Sequence, residues 1–219
     1  MLDKFFVLIA PHYCLGCDEK GTIMCASCQD DILADSQNSC LKCGAPILHK
    51  CHSCNLPFQK SWQVSKREGV IKNVVDAYKF KSIRAAAGPL AELFDQHLPQ
   101  LPSNTVIVPI PTVPKHIRQR GFAHMEIVTR KLAKLKGCCY SELLKRKNNT
   151  VQFGQNAKTR QAQAKQAFAC PTTLDPNANY LIIDDICTTG ATLIEAAKVL
   201  KKSGAKNVWV AVLAHQSLK

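Results

Sequence analysis

The sequence predicts an α/β domain on a mainly parallel sheet with helices on both faces, preceded by a small cysteine-rich segment. Three observations lead there. Eight of the twelve cysteines fall within the first 54 of 219 residues. From Trp62 onward, short apolar runs alternate with helically spaced stretches, the pattern of strands joined by helical crossovers. The apolar run from Tyr180 ends in two aspartates and a Thr/Gly loop.

Composition sets the class. With 46% apolar and 21% charged residues the chain is globular rather than a disordered tail. The stretch Phe5 to Ala10 is about a third of the ~20 residues that a membrane span needs, and no small-residue cleavage site follows it. Neither membrane insertion nor secretion is expected, and the expected compartment is the cytoplasm.

The cysteines come in two copies of one pattern, C-x2-C-x7-C-x2-C: Cys14, Cys17, Cys25 and Cys28, then Cys40, Cys43, Cys51 and Cys54. A C-x-x-C turn aims two thiolates at one cation, and two such turns complete a closed tetrahedral shell. Thiols stay reduced in a cytosolic protein, so two structural zinc (Zn2+) sites are expected rather than disulfides. Sequential pairing of the knuckles closes the shortest loops and is preferred to an alternating cross-brace. His12, His49 and His52 stand near knuckles whose sulfurs already fill two shells, so they are read as bystanders. The expected organisation is residues 1–60 as a double zinc-binding segment and 61–219 as the α/β domain.

Within that domain Val70 to Tyr78 and Ala85 to His97 read as helices, separated by a basic turn at Lys79, Phe80 and Lys81. Thr105 to Ile110 is a buried strand stopped by prolines. Gly121 to Leu135 has helical spacing, Tyr180 to Asp184 is a strand, Leu193 to Ser203 a helix closed by Gly204, and Val208 to Leu213 a last strand. Lys145 to Lys165 is polar and reads as a mobile loop.

The chemistry concentrates in Tyr180-Leu-Ile-Ile-Asp-Asp-Ile-Cys-Thr-Thr-Gly-Ala-Thr192. At the start of a helix several backbone N–H groups converge on an anion, Gly190 permits close approach, and the hydroxyls of Thr188, Thr189 and Thr192 add donors. Asp184 and Asp185 would repel a phosphate; they suit vicinal ribose hydroxyls or a magnesium ion over a pyrophosphate. The pattern describes a site for a phosphorylated ribose.

This motif resembles the type I phosphoribosyltransferase family. The order of four cysteine knuckles, Val108-Pro-Ile-Pro111, Arg118-Gln-Arg-Gly-Phe122 and the aspartate pair resembles the ComF family of competence proteins, with its relative GntX, over nearly the whole chain. The family sequence at this point is of the type Arg-Gly-Phe-Asn-Gln, where this chain has Arg120-Gly-Phe-Ala-His124. A later family stretch looks like Gln152, Arg160 and Gln163 before Ala167-Phe168. The resemblance implies a type I phosphoribosyltransferase-like sheet behind a double zinc ribbon. It implies 5-phosphoribosyl 1-diphosphate and Mg2+ as ligands, held by Asp184 and Asp185, by Thr188, Thr189, Gly190, Ala191 and Thr192, and by Arg118, Arg120, Lys145 and Arg146.

The net charge of +13 places an anionic partner in prospect. Residues 1–60 carry five Lys and six Asp or Glu, whereas Pro114 to Lys165 carries thirteen Lys or Arg against two Glu, so the excess belongs to the α/β domain. Two functions follow. In one, which the resemblance to the ComF family implies, the chain binds phosphoribosyl diphosphate and handles single-stranded DNA during natural transformation, alongside a competence helicase and recombination-mediator proteins. In the other, it is an active transferase moving phosphoribose to an unidentified acceptor.

Overall fold

The computed structural model describes residues 12–36, 39–45, 51, 54–147 and 167–216. The first helix among the described residues, α1 (Ala26–Ala34), lies within the cysteine segment. Strand β1 (Lys60–Lys66) and helix α2 (Gly69–Phe80) follow, then a single 3-10 turn, Arg84–Ala86, that leads into α3 (Ala87–His97). Next come β2 (Thr105–Pro109), α4 (Pro114–Arg120), α5 (His124–Lys136), β3 (Cys139–Tyr140) and β4 (Lys145–Arg146). The chain closes with β5 (Phe168–Ala169), β6 (Asn179–Cys187), α6 (Ala191–Lys202) and β7 (Asn207–His215).

The five strands of the main sheet run in the order β1-β7-β6-β2-β3, and each neighbouring pair is parallel. β4 and β5 form a separate antiparallel ribbon. Val208 to Ala214 of β7 are buried without interruption, as expected of a central parallel strand covered on both faces. Period-two alternation sorts their side chains. Ile107, Leu181, Ile183, Trp209, Ala211 and Leu213 join the core beneath α2, α3 and α5, while Val108, Tyr180, Ile182, Val208, Val210 and Val212 join the core beneath α6.

The cysteine segment is part of both cores. Cys14, Ile23, Met24, Cys25, Cys28 and Ile32 are buried with Val74 and Tyr78 of α2, whereas Leu41 and Phe58 are buried on the opposite face with Leu193 and Val210. The segment therefore reaches the cores on both faces of the sheet. Gly16 shows how closely: a Cβ there would lie 2.7 Å from Cys28 Sγ and 2.8 Å from Val70 of α2.

Several sequence expectations shift. β1 is a strand that the sequence reading passed over, because Lys60-Ser-Trp-Gln-Val-Ser-Lys66 has only two strongly apolar residues; its pairing with β7 supplies what its hydrophobicity does not. Between Pro114 and Arg120 stands a short helix to which the sequence reading assigned no element, its proline at the first helical position. The helix expected from Gly121 begins three residues later, because Gly121 takes φ +78 and ends α4. Lys79 and Phe80 belong to α2 rather than to a turn, and β6 continues through both aspartates to Cys187. Lys145 and Arg146 are in a strand, while residues 148–166, with Gln152, Arg160 and Gln163, lie outside the described residues, as do His49 and His52.

Candidate functional site

Connections from β2 step outward to β3, while those from β6 step the other way to β7. The sheet's switch point is therefore the gap between β2 and β6. Ligands of open α/β sheets collect outside the carboxyl ends of strands at such a point. A cavity of about 500 Å³ opens there, walled by the segment Ile110 to Val113 after β2, by Asp184 and Asp185 at the end of β6, and by Thr192 at the start of α6. Lys79, Arg120, His124 and Arg146 complete it.

The two aspartates play different parts. Asp185 is 5% exposed and both of its oxygens are engaged. Oδ2 takes Lys79 Nζ at 2.8 Å and His124 Nε2 at 2.5 Å, and Oδ1 accepts the Ile186 N–H at 2.6 Å. Asp184 is half-buried; its Oδ1 accepts the Asp185 N–H at 2.9 Å, and its other oxygen has no hydrogen-bond partner among the described residues. Their ionisation diverges accordingly. Burial and the neighbouring Asp185 charge push the Asp184 carboxyl well above the usual carboxylate range. Burial would raise Asp185 too, but the His124 hydrogen bond and the Lys79 charge outweigh it and hold that carboxyl well below the usual range. One carboxylate is an anchored internal anion, and the other faces the cavity.

Cations frame the opening. Arg120 Nη1 lies 3.1 Å from His124 Nδ1, and its guanidinium sits 5.6 Å from the centre of the Phe80 ring, which is 70% exposed. Arg146 donates from Nε to the Pro111 carbonyl at 2.7 Å and packs over Phe168, and burial lowers its proton affinity against the favourable charge of Asp184. At the start of α6, Gly190 takes φ +72 and has no side chain to cap the helix; the Ala191 N–H goes to Thr189 Oγ1 at 3.4 Å, and the N–H groups of Thr192 and Leu193 have no hydrogen-bond partner among the described residues. Ser82, with φ +54, places the chain at the rim in a conformation rare for a residue with a side chain.

Both cysteine groups are assembled as sequential pairs. The sulfurs of Cys14, Cys17, Cys25 and Cys28 all lie within 4.8 Å of one another, and so do those of Cys40, Cys43, Cys51 and Cys54. None of the cysteines is in a disulfide. A tetrahedron with Zn–S bonds of about 2.3 Å sets its sulfurs about 3.8 Å apart, close to the 3.5 Å of Cys17 and Cys25 and the 3.6 Å of Cys43 and Cys51. Backbone N–H groups of Cys25 and Cys28 point at the sulfurs of Cys14 and Cys25 at 3.4 and 3.5 Å, the outer hydrogen bonds that orient thiolate ligands. Each group could hold one zinc ion.

Residues 80–218 match the model of the phosphoribosyl transferase domain. The chain belongs to that family. The DNA utilization protein YhgH of Salmonella typhimurium is 31% identical over 187 residues, 78% of this chain and 81% of that protein. Competence protein ComFC of Streptococcus pneumoniae is 27% identical over 191 residues, 84% of each chain, and Competence protein F of Haemophilus influenzae is 27% identical over 205 residues, 85% of this chain and 88% of that one. The resemblance to ComF-type proteins is borne out by these names and spans, and the parallel sheet behind two four-cysteine groups agrees with the fold it implied.

Against the phosphoribosyl transferase motif, the structure brings Asp184, Asp185, Thr192, Arg120 and Arg146 to one cavity. Thr188 and Thr189 are exposed on the adjoining loop, Gly190 is buried behind it, and Ala191 opens α6. Arg118 and Lys145 are exposed and do not line the cavity; Lys145 lies 3.9 Å from Glu142. Lys79 and His124 are the site residues that sequence reasoning did not single out. For His124 the available signal was its place in the family pattern after Arg-Gly-Phe; for Lys79 there was only its basic character, because its approach to Asp185 depends on how α2 packs. No described helix is long and apolar enough to cross a membrane.

Proposed function

We propose that this chain binds 5-phosphoribosyl 1-diphosphate with Mg2+ in the cavity between β2 and β6, and that it handles single-stranded DNA in the cytoplasm during natural transformation. The observation that carries the first half is the pairing, across one cavity, of an open helix N-terminus with a cavity-facing carboxylate and two arginines. The loop Thr188 to Thr192 and the first N–H groups of α6 hold the 5-phosphate. Asp184 would hold the ribose hydroxyls or a magnesium ion, and Asp185, locked by Lys79 and His124, keeps the floor of the site anionic. Arg120 and Arg146 neutralise the diphosphate oxygens. Magnesium, when bound, supplies charge neutralisation for the diphosphate.

The second half draws on the relatives named for competence and DNA utilization and on the basic excess of the α/β domain. Arg118 and Lys145, outside the cavity, belong to a positive surface that meets the phosphate backbone. A competence helicase and recombination-mediator proteins are the partners that such a role calls for, and the weakly acidic cysteine segment suits protein docking better than phosphate contact.

Calorimetry with phosphoribosyl diphosphate and Mg2+ tests the site against an Asp184→Asn, Asp185→Asn double variant. Saturable heat lost in the variant supports it, and no heat in the wild type sinks it. Fluorescence anisotropy with a labelled oligonucleotide across a salt series tests the DNA arm; affinity indifferent to salt removes it. Pyrophosphate release on adding a purine or pyrimidine base would turn the reading toward an active transferase.

A further inference from the structure

The surroundings of His124 are more particular than those of a histidine that merely fills space. Its Nε2 lies 2.5 Å from Asp185 Oδ2, and its Nδ1 lies 3.1 Å from both Arg120 Nη1 and Thr112 Oγ1. Its backbone carbonyl accepts the Tyr78 hydroxyl at 2.8 Å, which fixes the start of α5. A guanidinium has donors only, whereas a hydroxyl can act either way. The ring nitrogen that faces Arg120 must therefore present its lone pair. A neutral imidazole then carries its single proton on Nε2, where it donates to Asp185. The partner that cannot accept decides the tautomer.

We propose that His124 is a positioning residue that bridges Arg120 to Asp185, accepting from the one and donating to the other. This deepens the reading of the cavity as a phosphoribosyl diphosphate site and rests on it. The bridge sets the orientation of the buried carboxylate, and it holds the Arg120 guanidinium at the cavity mouth against the Phe80 ring. What position 124 then requires is an acceptor on one side of a planar group and a donor on the other. Glutamine meets that requirement at similar reach. Leucine provides neither contact, and lysine provides donors only.

Nitrogen NMR of the full chain labelled at histidine, assigned by comparison with His124→Gln, tests the bridge without any ligand. The expected signature is an unprotonated Nδ1 and a protonated Nε2 with slow exchange; the opposite tautomer, or a doubly protonated ring, overturns the proposal. Calorimetry with phosphoribosyl diphosphate and Mg2+ is the second arm. His124→Leu should weaken binding by about tenfold or more, and His124→Gln should recover it to within about threefold of the wild type. Equal losses in both variants would reduce the position to shape and overturn the proposal. A wild type that binds nothing sinks the phosphoribosyl diphosphate reading, while the NMR result still decides the bridge.

Discussion

The carbonyl oxygen of Leu41 stands 3.0 Å from the point where Gly190 would carry a Cβ, so a backbone atom of the second cysteine group forms the back wall of the Thr-Gly loop. The same carbonyl accepts from the Cys187 thiol at 3.7 Å. Gly190 is thus fixed twice, by its φ of +72 and by this contact. Gly190→Ala should cost about 2 kcal/mol. Urea melts would read that loss, together with weaker phosphoribosyl diphosphate binding; an unchanged midpoint would show that the loop yields freely.

The sequential pairing of cysteines gives a stoichiometric test. Cys14→Ser with Cys25→Ser strikes one group and should leave one zinc per chain. Cys14→Ser with Cys40→Ser strikes both groups and should leave none. Alternating pairing reverses the two results, and metal analysis of the purified variants decides between them. Because Cys14, Cys25 and Cys28 are buried with Tyr78 and Val74, a strong chelator should lower the melting temperature of the whole chain rather than loosen a tail.

Asp184 and Asp185 should respond oppositely to pH. A carboxyl whose folded affinity for protons is raised keeps its proton where the unfolded chain has lost it, so its contribution to stability falls as pH climbs above the ordinary carboxylate range. That is Asp184, and Asp184→Asn should raise the melting temperature at neutral pH while abolishing ligand binding. Asp185 is held low, so its stabilisation is present above the ordinary range and fades as pH drops below it. Asp185→Asn should therefore lower the melting temperature at neutral pH and differ little from the wild type in acid. Parallel pH profiles for the two variants would contradict the division of roles.

Lys79 is 15% exposed along its side chain and pairs with Asp185 at 2.8 Å. Lys79→Met keeps the apolar stem and removes the charge, leaving a buried carboxylate with His124 as its remaining side-chain partner. The expected loss is about 3 kcal/mol at neutral pH, measured by denaturant unfolding. A loss below about 0.5 kcal/mol would place this pair with the weak surface bridges.

What could be read in the sequence follows physical locality. The knuckles and the aspartate-Thr-Gly run were legible because each is a short stretch whose chemistry is complete in itself. The strands β2, β6 and β7 were legible because both faces of a central strand are buried, and only apolar residues tolerate that. β1 was not, since its alternation has only Trp62 and Val64 as apolar members between two lysines, and the strand exists through its partner β7. His124 and Lys79 escaped for the same reason. They stand 61 and 106 residues from Asp185 in the chain, and only the packing of α2 and α5 on the sheet brings them together.

The place of β1 in the sheet bears on how the chain can be cut. The family match begins at Phe80, which would make a tempting point of truncation, but β1 lies before it and covers one flank of β7. Removing it would bare the N–H and C=O groups of a nine-residue strand of nearly unbroken apolar character, Asn207-Val-Trp-Val-Ala-Val-Leu-Ala-His215. Such an edge is a template for a second copy of itself, so the shortened protein should accumulate as insoluble strand-paired aggregates while the full chain stays dispersed.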